Sequence, residues 1–386
     1  MEPISPQPGS ARDPRYFVGR QRTTKDATRK LCDGTSLLLN DPRRLGKTYW
    51  LTYFTSRTHD FTPVVIDYEG VSTCEAFLVR TVEELRKQLP RFSRSLLTKL
   101  QAYFENVEVN SGPVKVKIAV QQQPATTLLA ITLAELVEHS AKPVLICMDE
   151  IPLAILNIAR TEDAQSAREL LQTLRRLRQN EPRIRWILAG SIGFHHVLAE
   201  CGTTSGEIND LDNLRLGPLI DAEATELAQR LLLGIARPPN EGAIDRLVER
   251  TGGIPFLLHK VASLLLDNGE REVPVDPAEV DEAFEGFIDD PDEFQAFSHV
   301  LARLEPNYGD DAVLAKQILD HTLSATNDWH GLDEVRDALG ASPRFAGTVE
   351  DLVSDHYLIQ DGQRIRWRYP VLQYTWARRQ AIWDRP

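Results

Sequence analysis

Only four of the 386 residues are cysteine, and Cys32, Cys74, Cys147 and Cys201 form no C-x-x-C pair. Such scatter fits neither a disulfide framework nor a zinc site, and it predicts reduced thiols in a cytoplasmic protein. Long apolar runs are also missing: none approaches the roughly 18 residues of a membrane span. The opening MEPISPQPGSARDP is polar and proline-bearing rather than a signal sequence, so no membrane attachment is expected. An excess of positive charge is the third absence. The formal net charge is −12, which argues against a surface that coats nucleic acid, although a local basic face stays open. What remains is ordinary globular composition, 42% apolar and 26% charged, in a chain long enough for two or three domains.

Within that ordinary background one stretch carries chemistry. Asn40 to Trp50 reads NDPRRLGKTYW and ends in the Gly46-Lys47-Thr48 of a phosphate-binding loop. The loop pattern is G-x-x-x-x-G-K-[ST], and its first glycine falls on Asp41. Such a loop works because backbone N–H groups at a helix N-terminus converge on phosphate, with the lysine reaching the β- and γ-oxygens and the threonine hydroxyl binding Mg²⁺. Gly-Lys-Thr alone is a weak signal; its place after the apolar run SLLLN and before the helix-like TYWLTYF makes it much stronger. The second signal lies about a hundred residues on, where VLICMDE closes on Asp149 and Glu150. An aspartate at a strand end can orient Mg²⁺ through its water shell, and the adjacent glutamate can polarise an attacking water. An acidic helix cap is the alternative reading of the same pair.

Organisation supports a nucleotide domain followed by helices. Residues 1–14 read as a flexible tail. PVVIDY, PVLICMDE and RIRWILAGS are further buried strands, and TCEAFLVRTVEELRKQL and DAQSARELLQTLRRLRQ between them repeat apolar residues at three and four. Strands alternating with helices of that length predict an α/β fold, a parallel sheet with helices on both faces, over 15–219. VEVNSGPVKVKIAVQQQ, residues 107–123, has hairpin chemistry and reads as an insertion, either an exposed flap or a partner contact. Amphipathic segments over 220–295 predict a small helical lid. From 296 to 386 more helices lead to HYLIQ and RIRWRY around Asp361-Gly362, a terminal hairpin that gives this end a winged-helix character.

Taken in order, YFVGRQRTTKDATRKL, LLLNDPRRLGKTYWL, VVIDYEGVST, LICMDE, WILAGSIGFHHVL, INDLDNLRLGPL and RTGGIPFLLHKVA resemble the motifs of the AAA+-related STAND and archaeal-type P-loop ATPases, whose architecture is Orc/Cdc6-like. The likeness is close over Tyr16 to Leu266 and looser beyond. It implies an ASCE P-loop domain, a helical lid and a C-terminal winged helix in a switch protein that uses ATP or ADP with Mg²⁺. By the same resemblance Phe17, Val18 and Arg20 belong to an N-terminal box along the adenine edge. Pro42, Arg43, Arg44, Leu45, Gly46, Lys47, Thr48 and Tyr49 form the phosphate loop, and Ser191 is the polar sensor ending the fourth strand. Pro255 is the proline of the lid's G-x-P motif; Gly252-Gly253 and Pro255 also read as a helix C-cap and a first-turn proline, and the two are compatible. Catalysis would rest on Lys47, Glu150 and Ser191, and the metal on Thr48 and Asp149.

Two departures from the family pattern stand out. Ala189-Gly190-Ser191 offers no arginine finger at the sensor strand. An ionised Asp41 aimed at a γ-phosphate about 6 Å away would repel it by roughly 3 kcal/mol at an effective dielectric of 20, so the carboxylate is expected to turn toward Arg43 or Arg44. Three functions are compatible with these features: a hydrolysing switch acting on a protein partner or effector, a nucleotide-gated scaffold with little turnover, and a DNA-handling ATPase that uses its winged helix. A homo-oligomer is open in each, and a defence or signalling role rests on the resemblance alone. For DNA the candidate surface is Arg364, Arg366, Arg368, Arg378 and Arg379, interleaved with Trp367, Tyr369, Tyr374 and Trp376. The favoured alternative packs those aromatics inward and pairs the arginines with the acidic stretch Asp276 to Glu293.

Overall fold

The computed structural model describes residues 1–9, 13–88, 125–290, 302, 304–324 and 327–383. The hairpin expected at 107–123 lies outside the described residues. Five parallel strands form the main sheet: β1 (Ser36–Asn40), β2 (Thr62–Asp67), β3 (Val144–Asp149), β4 (Ile184–Gly190) and β5 (Leu211–Leu214), in the order β2-β3-β4-β1-β5. The central strands read as unbroken apolar runs because both faces are covered; β3 is buried at all six positions. Between β1 and β4 the order reverses direction, a topological switch point of the kind beside which ligands of open α/β sheets bind, at the carboxyl ends of the strands. There Asn40 is in register with Gly190, while one strand further on Met148 pairs with Leu188.

Two compact units divide the chain. One holds Arg22–Asn40 and Leu51–Leu214, that is, the sheet and the helices packed on it; the other holds Met1–Gln21, Asp41–Trp50 and Arg215–Pro386. The phosphate loop thus groups with the C-terminal half, a division that sequence continuity does not suggest.

In this second unit the helices Asp221–Gly234, Ala243–Thr251, Pro255–Asn268 and Pro277–Asp289 share one apolar core with the segments beyond 304, through residues such as Leu231, Leu257, Phe284, Leu352, Ile365 and Trp367. Beyond them come the helices Ala312–His321, Leu332–Ala338 and Phe345–Ser354 and a small antiparallel sheet of β6 (His330–Gly331), β7 (Leu358–Asp361) and β8 (Arg364–Trp367), ordered β6-β8-β7. Asp361 pairs with Arg364, so the hairpin turn is Gly362-Gln363, one residue later than the Asp-Gly signal places it. The helix Pro370–Trp383 follows.

The opening residues differ from expectation. Ile4 joins the core, its N–H donating to the Arg230 carbonyl at 2.9 Å, and the Gln7 N–H donates to His259 Nδ1 at 3.2 Å. Burial pulls His259 down to about 4, so at neutral pH its ring is the uncharged acceptor this bond requires. A segment with no periodicity is ordered here by one apolar anchor and two backbone donors, which pattern reading does not detect. No helix among the described residues is long and apolar enough to cross a membrane.

Candidate nucleotide site

At Asn40 the chain leaves β1, and a helix, Lys47–Arg57, opens six residues after Asp41. Between them the backbone turns through left-handed conformations at Arg44 (φ 76°) and Gly46 (φ 85°). Glycine adopts this freely, whereas at Arg44 it costs about 1–2 kcal/mol. The Arg44 guanidinium lies 4.5 Å from the Phe256 ring centroid, a cation–π contact that offsets part of that cost.

Lys47 is 6% exposed, and its Nζ donates to the carbonyl oxygens of Asp41 (2.6 Å) and Pro42 (2.8 Å). The ammonium is therefore held within the loop by the loop's own first two carbonyls. Thr48 is exposed in the first helical turn, and the Trp50 N–H closes that turn on the Gly46 carbonyl at 2.8 Å. A buried ammonium, an exposed hydroxyl and the positive end of an eleven-residue helix make a donor set suited to a phosphate chain and its metal.

Arg20 fastens this loop from behind. It is 5% exposed, and its guanidinium donates to the carbonyls of Leu216, Gly217 (2.6 Å), Pro218 (3.0 Å) and Leu45 (3.3 Å), while its backbone N–H donates to Glu223 Oε1 at 2.7 Å. Burial pulls its pKa down to about 10, against the charges of Glu223, Asp41 and Tyr369, so it stays cationic at neutral pH. A residue placed by resemblance at the adenine edge thus serves as a clamp on four carbonyls. Arg20→Met is expected to lower stability by about 2–4 kcal/mol, because those buried acceptors lose a charged donor; chemical denaturation measures it.

Beside the clamp, Phe17 meets Tyr49 edge-on with ring centroids 5.0 Å apart, and Tyr49 Oη donates to the Asp13 carbonyl at 2.6 Å. Burial pushes Tyr49 up to about 12. Val18 is buried and Phe17 half-buried. Pro255 is the first residue of the helix Pro255–Asn268, and Gly252 is the left-handed C-cap of Ala243–Thr251. The cap and first-turn roles therefore hold, whether or not the lid motif also acts. Arg43 is half-buried, and Pro42 and Leu45 are buried.

Asp41 is 1% exposed, and its Oδ2 accepts the Leu216 N–H at 2.7 Å. Burial raises its pKa, opposed by that hydrogen bond and by the charges of Lys47, Arg215 and Arg20. These three cations favour the carboxylate, where the sequence pointed to Arg43 and Arg44: the polypeptide returning from β5 supplies a donor that counting along the loop cannot anticipate.

Asp149, Glu150 and Ser191 belong to the sheet unit. Asp149 ends β3, is 2% exposed and accepts the Glu150 N–H at 3.1 Å. Glu150 is left-handed (φ 54°) and precedes the helix Ile151–Thr161, yet its side chain makes no capping bond. Instead its Oε2 accepts the Ser191 hydroxyl at 2.9 Å. The helix-cap alternative fails for the side chain, and Ser191 and Glu150 form one hydrogen-bonded pair. Gly190 permits this closeness, since a Cβ there would lie 2.4 Å from the Pro152 ring. One acidic residue escaped the motif search: Asp67 ends β2 in register with Asp149, and the only signal was an aspartate closing PVVID.

Along β8 and the two residues after it, Ile365, Trp367 and Tyr369 point into the core, leaving Arg364, Arg366 and Arg368 on the other face. Arg364 and Arg366 flank the Trp329 ring at 5.5 and 4.6 Å. Trp376 is buried and Arg378 pairs with Asp289, as the inward-packing alternative requires, whereas Arg364 pairs with Asp361, outside the acidic stretch.

A parallel sheet in this order, with a phosphate loop between β1 and the next helix, is the P-loop ATPase fold. No protein-family model and no curated protein matches the chain. Among solved structures, a Walker-type ATPase of Pyrococcus abyssi aligns over 94% of this chain and 96% of its own, at 18% identity and a TM-score of 0.62. The Orc2 protein of Aeropyrum pernix, solved as ADPNP-ADP complexes, aligns over 99% and 98% at 12% identity, with a TM-score of 0.53. At such identities the likeness is one of fold.

Proposed function

We propose that this chain binds and hydrolyses ATP as an AAA+-related, STAND-like switch whose nucleotide state is passed to a protein partner. The observation that carries this reading is the phosphate loop itself: Lys47 buried and held by the Asp41 and Pro42 carbonyls at the opening of a helix. In this reading Lys47 binds the β- and γ-phosphates and the loop N–H groups bind the phosphate chain. Mg²⁺, when bound, supplies charge neutralisation on those oxygens, with Thr48 and Asp149 as its holders. Glu150, positioned by Ser191, orients and polarises the attacking water. Denaturing the purified protein and chromatographing the released ligand is expected to yield ADP or ATP, and ATP with Mg²⁺ at about a hundred times Kd should stabilise the fold by about 2.7 kcal/mol. Absence of any released nucleotide together with an unmoved melting curve would overturn the reading.

The DNA-handling alternative treats the C-terminal helices and hairpin as a winged helix. Against it, the helix Phe345–Ser354 exposes Ala346, Gly347, Glu350 and Ser354, a face without a cation for phosphate. Arg364 and Arg366 beside Trp329 offer it a basic surface elsewhere.

A further inference from the structure

We propose that Asp41 is a positioning residue that ties the phosphate loop to the C-terminal module, so that the module's conformation sets the loop's affinity for nucleotide. The proposal rests on the ATP-binding reading above and assigns it a route of regulation. Where the loop pattern asks for a small residue without a side chain, this chain buries a carboxylate.

The route can be followed bond by bond within one compact unit. Asp41 Oδ2 accepts the N–H of Leu216 at 2.7 Å. The same Leu216 carbonyl, with those of Gly217 and Pro218, is gripped by Arg20, which also holds the loop's Leu45 carbonyl. Loop and 215–219 segment are thus joined from both sides. The neighbouring residue, Arg215, reaches the C-terminal module: its Nη1 lies 3.3 Å from Nδ1 of His356. His356 is 4% exposed and left-handed (φ 66°), in the turn joining the helix Phe345–Ser354 to β7. The next residue, Tyr357, accepts the Arg368 N–H at 2.8 Å, which binds that turn to the end of β8.

Electrostatics follow the same line. Arg215 acts on both Asp41 and Arg368, and the Asp41 charge helps burial push the Tyr369 phenol up. A glycine at position 41 would leave the Leu216 N–H without its acceptor and the loop's first residue without a side-chain anchor, a loss on the order of 1–3 kcal/mol for a buried donor. Because the carboxylate faces Leu216, its removal changes how the loop is held and adds no selective gain for a third phosphate.

A mutant cycle in the full-length chain tests this. Asp41→Gly is expected to raise KM for ATP about tenfold with kcat within about twofold, and to weaken ADP by a similar factor; Asp41→Asn, which keeps an acceptor for Leu216, stays within about threefold. His356→Ala should raise KM about threefold in the unmodified chain and add nothing in the Asp41→Gly background. Should Asp41→Gly not fold, Arg215→Gln takes its place, and the His356→Ala effect must vanish there too. Additive effects, an unchanged KM in Asp41→Gly, or a gain for ATP alone overturn the proposal. If the unmodified chain binds no ATP, the nucleotide reading fails by itself. The same cycle read by melting temperature then decides the coupling: non-additive losses uphold it and additive losses overturn it.

Discussion

Lys47→Ala is expected to abolish binding of both ATP and ADP, with a loss of at least about 4 kcal/mol, or a thousandfold in affinity. The side chain supplies the loop's buried ammonium, and that charge cannot be replaced by water reaching a residue 6% exposed. Its removal also strands the Asp41 and Pro42 carbonyls that hold it and deletes the first of the cations that favour the Asp41 carboxylate. Ground-state and transition-state binding are lost together, since the phosphates must be held before any chemistry begins. Isothermal calorimetry with each nucleotide measures the effect, and affinity within threefold of the unmodified chain would falsify the site assignment.

Glu150→Gln separates binding from turnover. ATP affinity should stay within about threefold, whereas hydrolysis in a single turnover should fall by a factor of about a hundred or more, as loss of a water-polarising base predicts. The fold is expected to tolerate the change, because the Glu150 side chain makes no helix-capping bond and a glutamine carbonyl can still accept the Ser191 hydroxyl. The two side chains match in size, but the amide is neither charged nor basic. Unimpaired hydrolysis in the variant would move the base elsewhere, with Asp67 at the neighbouring strand end the first residue to try.

The parts of the site legible in the sequence are those with a local cause. Gly46, Lys47 and Thr48 sit at fixed offsets between an apolar strand and a helix, and Asp149-Glu150 closes a strand buried on both faces; each needs only a few adjacent residues to be recognised. Strand and helix alternation likewise announced the parallel sheet. What stayed hidden depends on contacts across the chain. The partner of Asp41 is 175 residues away, Arg20 closes on carbonyls from Leu45 to Pro218, and the Ser191–Glu150 bond joins two strand ends 41 residues apart. Ile4 docks through a backbone bond to Arg230, for which composition holds no clue. Tertiary hydrogen bonds to backbone groups leave no mark on periodicity, and the domain grouping that follows from them was equally out of reach.

The strand order also determines when during synthesis the sheet can form. β1 emerges before the other four strands of its sheet, yet both of its neighbours, β4 and β5, lie far downstream: Leu37 pairs with Ile187 and Asp212. At about 5–20 residues per second, the ribosome takes on the order of 10–30 s to deliver the first of them. For that interval the apolar SLLLN strand has none of its native neighbours, and closing it later means joining the ends of a long loop. β2 and β3 can pair before β4 is made, but β1 joins the sheet only afterwards, so β1, the strand that launches the phosphate loop, is expected to be the one most in need of protection by a chaperone until then.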